Sequence, residues 1–147
     1  MTEMTDTSAA NAWEEALIAD LRSNGGTPSQ GPLAGDPLLL MYSTGAKSGK
    51  RRRSILTYSR DGDAYVVAGT AGGSTTAPAW IANLAADPNV RLEIHNEEFA
   101  AVATITEGDD RDRLWTQHVE QLPRFADYPA QVGGRVIPMV RLALQGA

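Results

Sequence analysis

The 147-residue chain contains no cysteine. Thiol nucleophiles, Cys-ligated zinc, iron–sulfur clusters and disulfides are excluded together, so any redox chemistry has to come from a bound cofactor. No apolar run approaches the ~18 residues that a membrane span needs. The opening segment, MTEMTDTSAANAWEEALIADLRSNGG, also lacks the basic n-region and apolar h-region of a secretory signal. A cytoplasmic protein is therefore expected. There are two histidines, His95 and His118, and neither has a second His or a carboxylate at a metal-ligand spacing, so no metal site is expected. His95 falls on the polar side of a strand pattern and His118 on a helix beside acids, which favours structural or solvent-facing roles over general-base chemistry. No G-x-S-x-G elbow is present, and the adjacent carboxylates of GDDRDR suit a helix start better than paired acid–base work. An excess of positive charge is missing too. The net charge of −5 opposes general attraction to nucleic acid or anionic lipid.

What is present reads as a single domain, since a chain of this length buries a sizeable core unaided. Residues 1–36 hold an N-terminal helix and a connecting loop, and residues 37–147 the main domain. From about Ala10 to Ser23, Trp13, Leu17 and Leu21 recur at four-residue spacing, with Ala16 and Ile18 widening the stripe and NGG ending it. This predicts an amphipathic helix packed on the domain or on a partner subunit. Its other side carries Glu14, Glu15 and Asp20, a poor match to a membrane-seeking helix. GGTPSQGPLAGDP is a loop.

Strands are predicted over Leu38 to Thr44, Arg52 to Arg60 and Ala64 to Thr70, the last two joined across Asp61-Gly62. APAWIANLAADPNV is a short helix with Pro78 in its first turn, ending before Pro88. Val90, Leu92 and Ile94 alternate with Arg91, Glu93 and His95 as a half-buried strand, and EFAAVATITE returns beside it after a turn near Asn96 and Glu97. GDDRDRLWTQHVEQL is a helix, followed by a loop rich in Pro, Gly and aromatics and by a last strand, RVIPMVRLAL. Six strands without βαβ alternation imply an α+β fold around a small antiparallel barrel.

Against the acidic background, five of thirteen basic residues, Lys47, Lys50, Arg51, Arg52 and Arg53, fall in one glycine-bounded turn, TGAKSGKRRR. This is not a P-loop. Gly45 and Gly49 enclose three residues where that motif needs four, and Arg51 stands where Ser or Thr would bind magnesium. Two glycines do let a backbone bend so that its N–H groups converge, with Ser48 and Lys47 as further donors, and such a turn suits phosphate. From the residues alone, a solvated basic hairpin loop is the simpler alternative.

The segments STGAKSGKRRRSILTYSRDGDAYVVAGTAGG, PAWIANLAADPNV, LPRFADY and GGRVIPMVRL, in that order, resemble the deazaflavin-dependent nitroreductase family, and within it the F420H2-dependent quinone reductases. T-G-x-K-S-G and P-x-W-x-x-N-L followed by D-P are the most specific parts, and the likeness spans roughly Pro37 to Leu144. The resemblance implies a split β-barrel of about six mainly antiparallel strands, with residues 37–147 binding coenzyme F420. This cofactor is a flavin-like ring on a ribityl phosphate that continues into lactate and glutamates. It implies a grip on the phosphate by Gly45, Lys47, Ser48, Gly49 and Arg52, with Lys50, Arg51 and Arg53 toward the anionic tail. Ser54, Ile55 and Leu56 would continue along the cofactor. Ala68, Gly69, Thr70, Gly72 and Gly73 would pass near the ring, and Pro78, Trp80 and Asn83 would frame it. The implied reaction is hydride transfer from reduced F420 to a small-molecule electron acceptor, such as a quinone, enone or nitroaromatic, and then protonation. Three tyrosines that line the acceptor site in relatives correspond to Leu122, Phe125 and Tyr128, which leaves Tyr128 as the candidate catalytic proton donor. Ala71 stands where many relatives have lysine, and Thr57 where some have tyrosine. A non-catalytic binder of F420, another flavin-like molecule or a lipid is the alternative. Monomer and homodimer are both open, no nucleic-acid partner is expected, and peripheral contact with the inner face of the membrane is the less favoured option.

Overall fold

The computed structural model describes residues 11–31 and 33–145. Side chains that alternate in direction along the strands drive the architecture. On β1 (Leu38–Thr44), Leu39 and Met41 point inward, while Leu38, Leu40 and Tyr42 point outward. Antiparallel partners follow as β2 (Arg51–Asp61), β3 (Ala64–Ala68), β4 (Asn89–Ile94), β5 (Glu97–Ile105) and β6 (Met139–Leu144). They close into one barrel in the order β1-β2-β3-β6-β5-β4, with β4 returning to β1 through Met41 opposite Leu92. Closure leaves no open sheet edge. The interior is filled by Leu39, Met41, Val67, Leu92, Ile94, Val140 and Leu142. The expected α+β fold, with a six-stranded antiparallel barrel and an N-terminal helix, is the observed one.

Several boundaries differ from the sequence reading, for local reasons. β3 stops at Ala68 because Gly69 donates its N–H to the carbonyl of Pro138, a residue outside the ladder. β6 starts only after Pro138, and the segment before it is irregular. Pro78 is the N-cap of α2 (Ala79–Ala86) instead of lying in its first turn. The β4–β5 turn is His95-Asn96, with Ile94 paired to Glu97. Both turn residues have left-handed φ, 50° and 66°, as a two-residue hairpin with right-handed strand twist requires. His95 has thus left the strand. Its Nδ1 lies 3.0 Å from the Gly25 carbonyl, which can only accept, so Nδ1 carries the proton and Nε2 accepts from the Tyr58 hydroxyl at 3.1 Å.

Helix α1 (Asn11–Ser23) buries Leu17, Ile18 and Leu21 against Leu38 and Leu40 on the outside of the barrel. The predicted stripe is rotated. Trp13 is 55% exposed, and its place on the inner arc goes to Glu14, which meets Arg53 of β2 at 3.2 Å. Ala10, the expected first residue, lies outside the described residues. The loop after α1 is pinned at Gly26, whose φ is +96° and where an added Cβ would come 2.5 Å from the His95 Cα. Gly26→Ala is expected to destabilise the fold by about 2 kcal/mol in urea unfolding, from backbone strain plus displacement of the His95 turn.

Helix α3 (Gly108–Gln121) packs Leu114 and His118 toward β2. Its opening acids do not cap it, since Glu107 is the N-cap and makes no side-chain bond. Asp110 instead joins Arg141, Arg113 and Asp61 in an ion-pair network that links α3 to β6 and the β2–β3 turn. Hydrogen bonds from Arg141 lower the Asp110 pKa, and those from Arg113 lower that of Asp61. The expected loop after α3 is two tight turns, a 3-10 segment (Pro123–Asp127) and α4 (Tyr128–Gln131).

Candidate functional site

The site is built by β2, which contributes successive side chains to two cavities on one side of the barrel. The first, of about 590 Å3, is lined by Gly45, Ala46, Lys47, Ser48, Arg52, Arg53, Ser54, Ala79, Trp80, Ala82 and Asn83. The second, of about 350 Å3, is lined by Leu33, Ile55, Leu56, Thr57, Ala68, Thr70, Ala71, Gly72, Trp80, Arg124, Phe125 and Tyr128. Trp80 belongs to both, and Ser54 and Ile55, consecutive on β2, line one each, so the two cavities are neighbours: the first carries the donors of the basic turn, and the second presents Ile55, Leu56, Ala68 and Phe125 beside Arg124 and Tyr128.

At the basic end, the β1–β2 turn is rigid. Gly45 N–H bonds to the Lys50 carbonyl at 2.7 Å, Gly49 N–H to the Gly45 carbonyl at 2.9 Å, and Ala46 N–H to Asn83 Oδ1 at 2.9 Å. Asn83, buried on α2, therefore fixes the turn. The Ser48 hydroxyl oxygen accepts from the Lys50 N–H and from Arg52 Nη2, which leaves its own proton to donate outward. Among the described residues the amides of Lys47 and Ser48 have no backbone acceptor. Gly45 leaves room for the Ser48 hydroxyl, since a Cβ there would lie 2.6 Å from Ser48 Oγ and displace it. Gly49 has φ +70°, which suits glycine alone at no cost.

The five basic residues do not act together. Lys47 and Arg52 line the polar cavity. Arg53 lines it too, but its side chain, only 10% exposed, is held by Glu14 and Glu15 of α1. Arg51 lies 4.0 Å over the Tyr42 ring and faces a separate outer groove with Gly49 and Arg91. Lys50 lines none of these cavities.

At the apolar end, the loop after β3 passes Gly69 between Pro138 and Ile81, where a Cβ would meet both at 3.1–3.3 Å. It then takes left-handed φ at Ala71, Gly72 and Gly73. Arg135 holds this loop by donating to the carbonyls of Gly69, Thr70 and Ser74, each at 3.0 Å. Gly73 packs against Gln131 of α4. Tyr128 and Phe125 lie with ring centroids 5.1 Å apart. Behind Phe125, edge-on at 4.5 Å, is His118, fully buried and 2.6 Å from the Ser59 hydroxyl through Nδ1. Burial, with Arg124 nearby, pushes the His118 pKa down to about 4.

Of the residues singled out in sequence, Gly45, Lys47, Ser48, Arg52, Ser54, Trp80 and Asn83 come together at the polar end. Ile55, Leu56, Ala68, Thr70, Gly72, Trp80, Phe125 and Tyr128 come together at the apolar end. Gly49, Gly69, Gly73 and Pro78 shape the walls without lining either cavity, and Leu122 is buried in the cluster with Leu114 and Val132. Leu33, Arg124 and Arg135 were not anticipated. Each reaches the site from far along the chain, and no local spacing announces such contacts.

The model of the F420H(2)-dependent quinone reductase family matches residues 15–143. The chain belongs to this family. An F420H(2)-dependent quinone reductase of Mycobacterium tuberculosis is 37% identical over 109 residues, which span 72% of this chain and 72% of that protein. A solved F420-H2 dependent reductase is 31% identical, with a TM-score of 0.65, and the match covers 72% of this chain and 93% of that one. Another solved structure, described as a domain-swapped dimer, is 26% identical with a TM-score of 0.66 over 89% of this chain and 95% of its own. The family match begins inside α1, so it includes Glu15 as well as the whole groove. No helix among the described residues is long and apolar enough to cross a membrane.

Proposed function

We propose that the two joined cavities are one cofactor groove, with the phosphate and glutamate end of F420 at the basic turn and its tricyclic ring in the apolar part. The protein is an F420H2-dependent oxidoreductase acting on activated acceptors, quinones first, with enones and nitroaromatics as electronically similar substrates. The observation that carries this reading is the change in lining on the two sides of Trp80, from the donors of the basic turn to Ile55, Leu56, Ala68 and Phe125. F420 has the same division between an anionic end and a flat, mostly apolar ring.

The residues present fit the group. The amides of Lys47 and Ser48, the Ser48 hydroxyl and the Lys47 ammonium are donors suited to a phosphate, with Arg52 adding charge behind Ser48. Gly45 and Gly49 serve by shaping the turn. Reduced F420, when bound, supplies the hydride from C5. The protein's part is to orient the acceptor beside the loop that Arg135 braces and to keep water out with Ile55, Leu56, Ala68 and Phe125. Tyr128 lines the same cavity, and its hydroxyl has no protein partner among the described residues, so it is placed to donate the proton that completes the reduction. The surroundings we assign are the cytoplasm, with a monomer or homodimer as the working form and no nucleic-acid partner.

The test is titration of the purified protein with F420, followed by its intrinsic fluorescence, and then reduced F420 with menadione, cyclohexenone and a nitroaromatic. Binding with acceptor-dependent oxidation is the expected result. Binding without oxidation across the panel would leave a binding protein alone. Tyr128→Phe is expected to lower turnover about fivefold, since solvent at the open mouth also supplies protons.

A further inference from the structure

Transfer of a hydride to a quinone or enone creates negative charge on a carbonyl oxygen before any proton arrives, and the apolar cavity has to accommodate that charge. Among the described residues lining it, one side chain is charged. Arg124 sits in the 3-10 turn directly after α3. Its Nη2 donates to Asp36 Oδ2 at 2.5 Å and to Thr57 Oγ1 at 3.3 Å, and the guanidinium carbon lies 4.8 Å from the centroid of the Phe125 ring. Those contacts anchor one nitrogen of the guanidinium beside the Phe125 ring. They leave Nη1 and Nε without a hydrogen bond among the described residues, and the side chain 43% exposed.

We infer that Arg124 is a catalytic residue that holds the carbonyl oxygen of the acceptor through its unused N–H groups and stabilises the oxyanion formed as the hydride arrives. This rests on the reductase reading above. In an enone the hydride adds to the β-carbon, the C=C electrons move to form the enolate, and the carbonyl electron pair comes to rest on oxygen. The deazaflavin donor is oxidised by two electrons and the acceptor is reduced by two. One proton, from Tyr128 or solvent, completes the product. Charged donors placed beside developing negative charge are an effective form of stabilisation. The positive charge is already felt locally, since it helps keep His118 neutral. Asp36 opposes the effect by sharing the guanidinium charge, which makes it a useful counter-variant.

The probe is 4-nitrophenol, a flat aromatic whose bound ionisation is read directly from phenolate absorbance, with menadione competition placing it in the acceptor cavity. The wild-type protein is expected to lower its ionisation midpoint by about one pH unit. Arg124→Gln is expected to return the midpoint to the free value and to reduce kcat with menadione about tenfold. Arg124→Lys should recover part of both. Asp36→Asn breaks the same ion pair yet should shift the midpoint further down, whereas a merely structural pair would make the two variants behave alike. Equal behaviour of Arg124→Gln and Asp36→Asn, or an unmoved midpoint in Arg124→Gln, would overturn the assignment even if wild-type turnover stands. Absence of wild-type turnover with every acceptor would instead overturn the reductase reading, while the nitrophenol shift still reports on Arg124.

Discussion

Lys47→Ala is expected to weaken F420 binding by ten- to a hundredfold, while Lys50→Ala changes it by less than about threefold. The contrast follows from where each side chain goes. Lys47 lines the polar cavity beside the amides of Lys47 and Ser48, whereas Lys50, three residues on, lines neither part of the groove. A charge-assisted hydrogen bond to phosphate contributes about 1.5–3 kcal/mol, which spans that factor. Fluorescence titration at low and high salt checks both halves. The wild-type affinity should fall with salt, and Lys47→Ala should fall less steeply, having lost one of the charges being screened. Equal affinities for wild type and Lys47→Ala would place the phosphate elsewhere.

Acidification from pH 7 to pH 4 is expected to remove about 3 kcal/mol of folding stability through His118 alone. The folded pKa of about 4 lies below the ordinary value of 6.5 because the ring is fully buried and Arg124 is near. Between those two values the unfolded chain binds a proton that the folded chain refuses. The contribution is therefore complete above about pH 6.5, erodes at up to about 1.4 kcal/mol per pH unit below it, and levels off near pH 4. The carboxylates of Asp61, Asp110 and Glu93 are shifted downward by their arginine partners. Their contribution is present above their unfolded values, 4.5 for Glu93 and 3.8 for the two aspartates, so its loss meets the His118 window only at the acid end, below about pH 4.5. Urea unfolding of the wild type and of His118→Asn at pH 7, 6, 5 and 4 tests this. Asparagine keeps a polar partner for Ser59 and cannot titrate, so its stability should be nearly flat from pH 7 to pH 5, with only the carboxylate loss appearing at pH 4. A parallel decline in both proteins would place the acid sensitivity elsewhere.

How far the sequence disclosed this molecule depends on the range of the interaction. The strands were legible because Val90, Leu92 and Ile94 alternate with polar residues on a two-residue period, and because LLLMY is a short apolar run of strand length bounded by turn residues. Leu114, His118 and Leu122 recur every four residues, so the burial of His118 carried a signal that its acidic neighbours obscured. The rotation of α1 was not readable, because the partner that draws Glu14 inward is Arg53, thirty-nine positions away. Arg124 meeting Asp36 and Arg135 meeting Gly69 are contacts of the same kind, made by the closure of the barrel and absent from any window of sequence. The basic turn was visible as composition, but its division into two groove-lining cations, one neutralised arginine and two that face elsewhere is a matter of side-chain direction.

The double carboxylate hold on Arg53 has a bearing on protein engineering. Trimming the chain to a minimal barrel by removing α1 would strip a nearly enclosed guanidinium of both counter-charges at the mouth of the groove. Such a truncated form would trade fold stability for a stickier entrance, attracting inorganic phosphate, nucleotides and other stray anions more strongly than the chain with α1 in place.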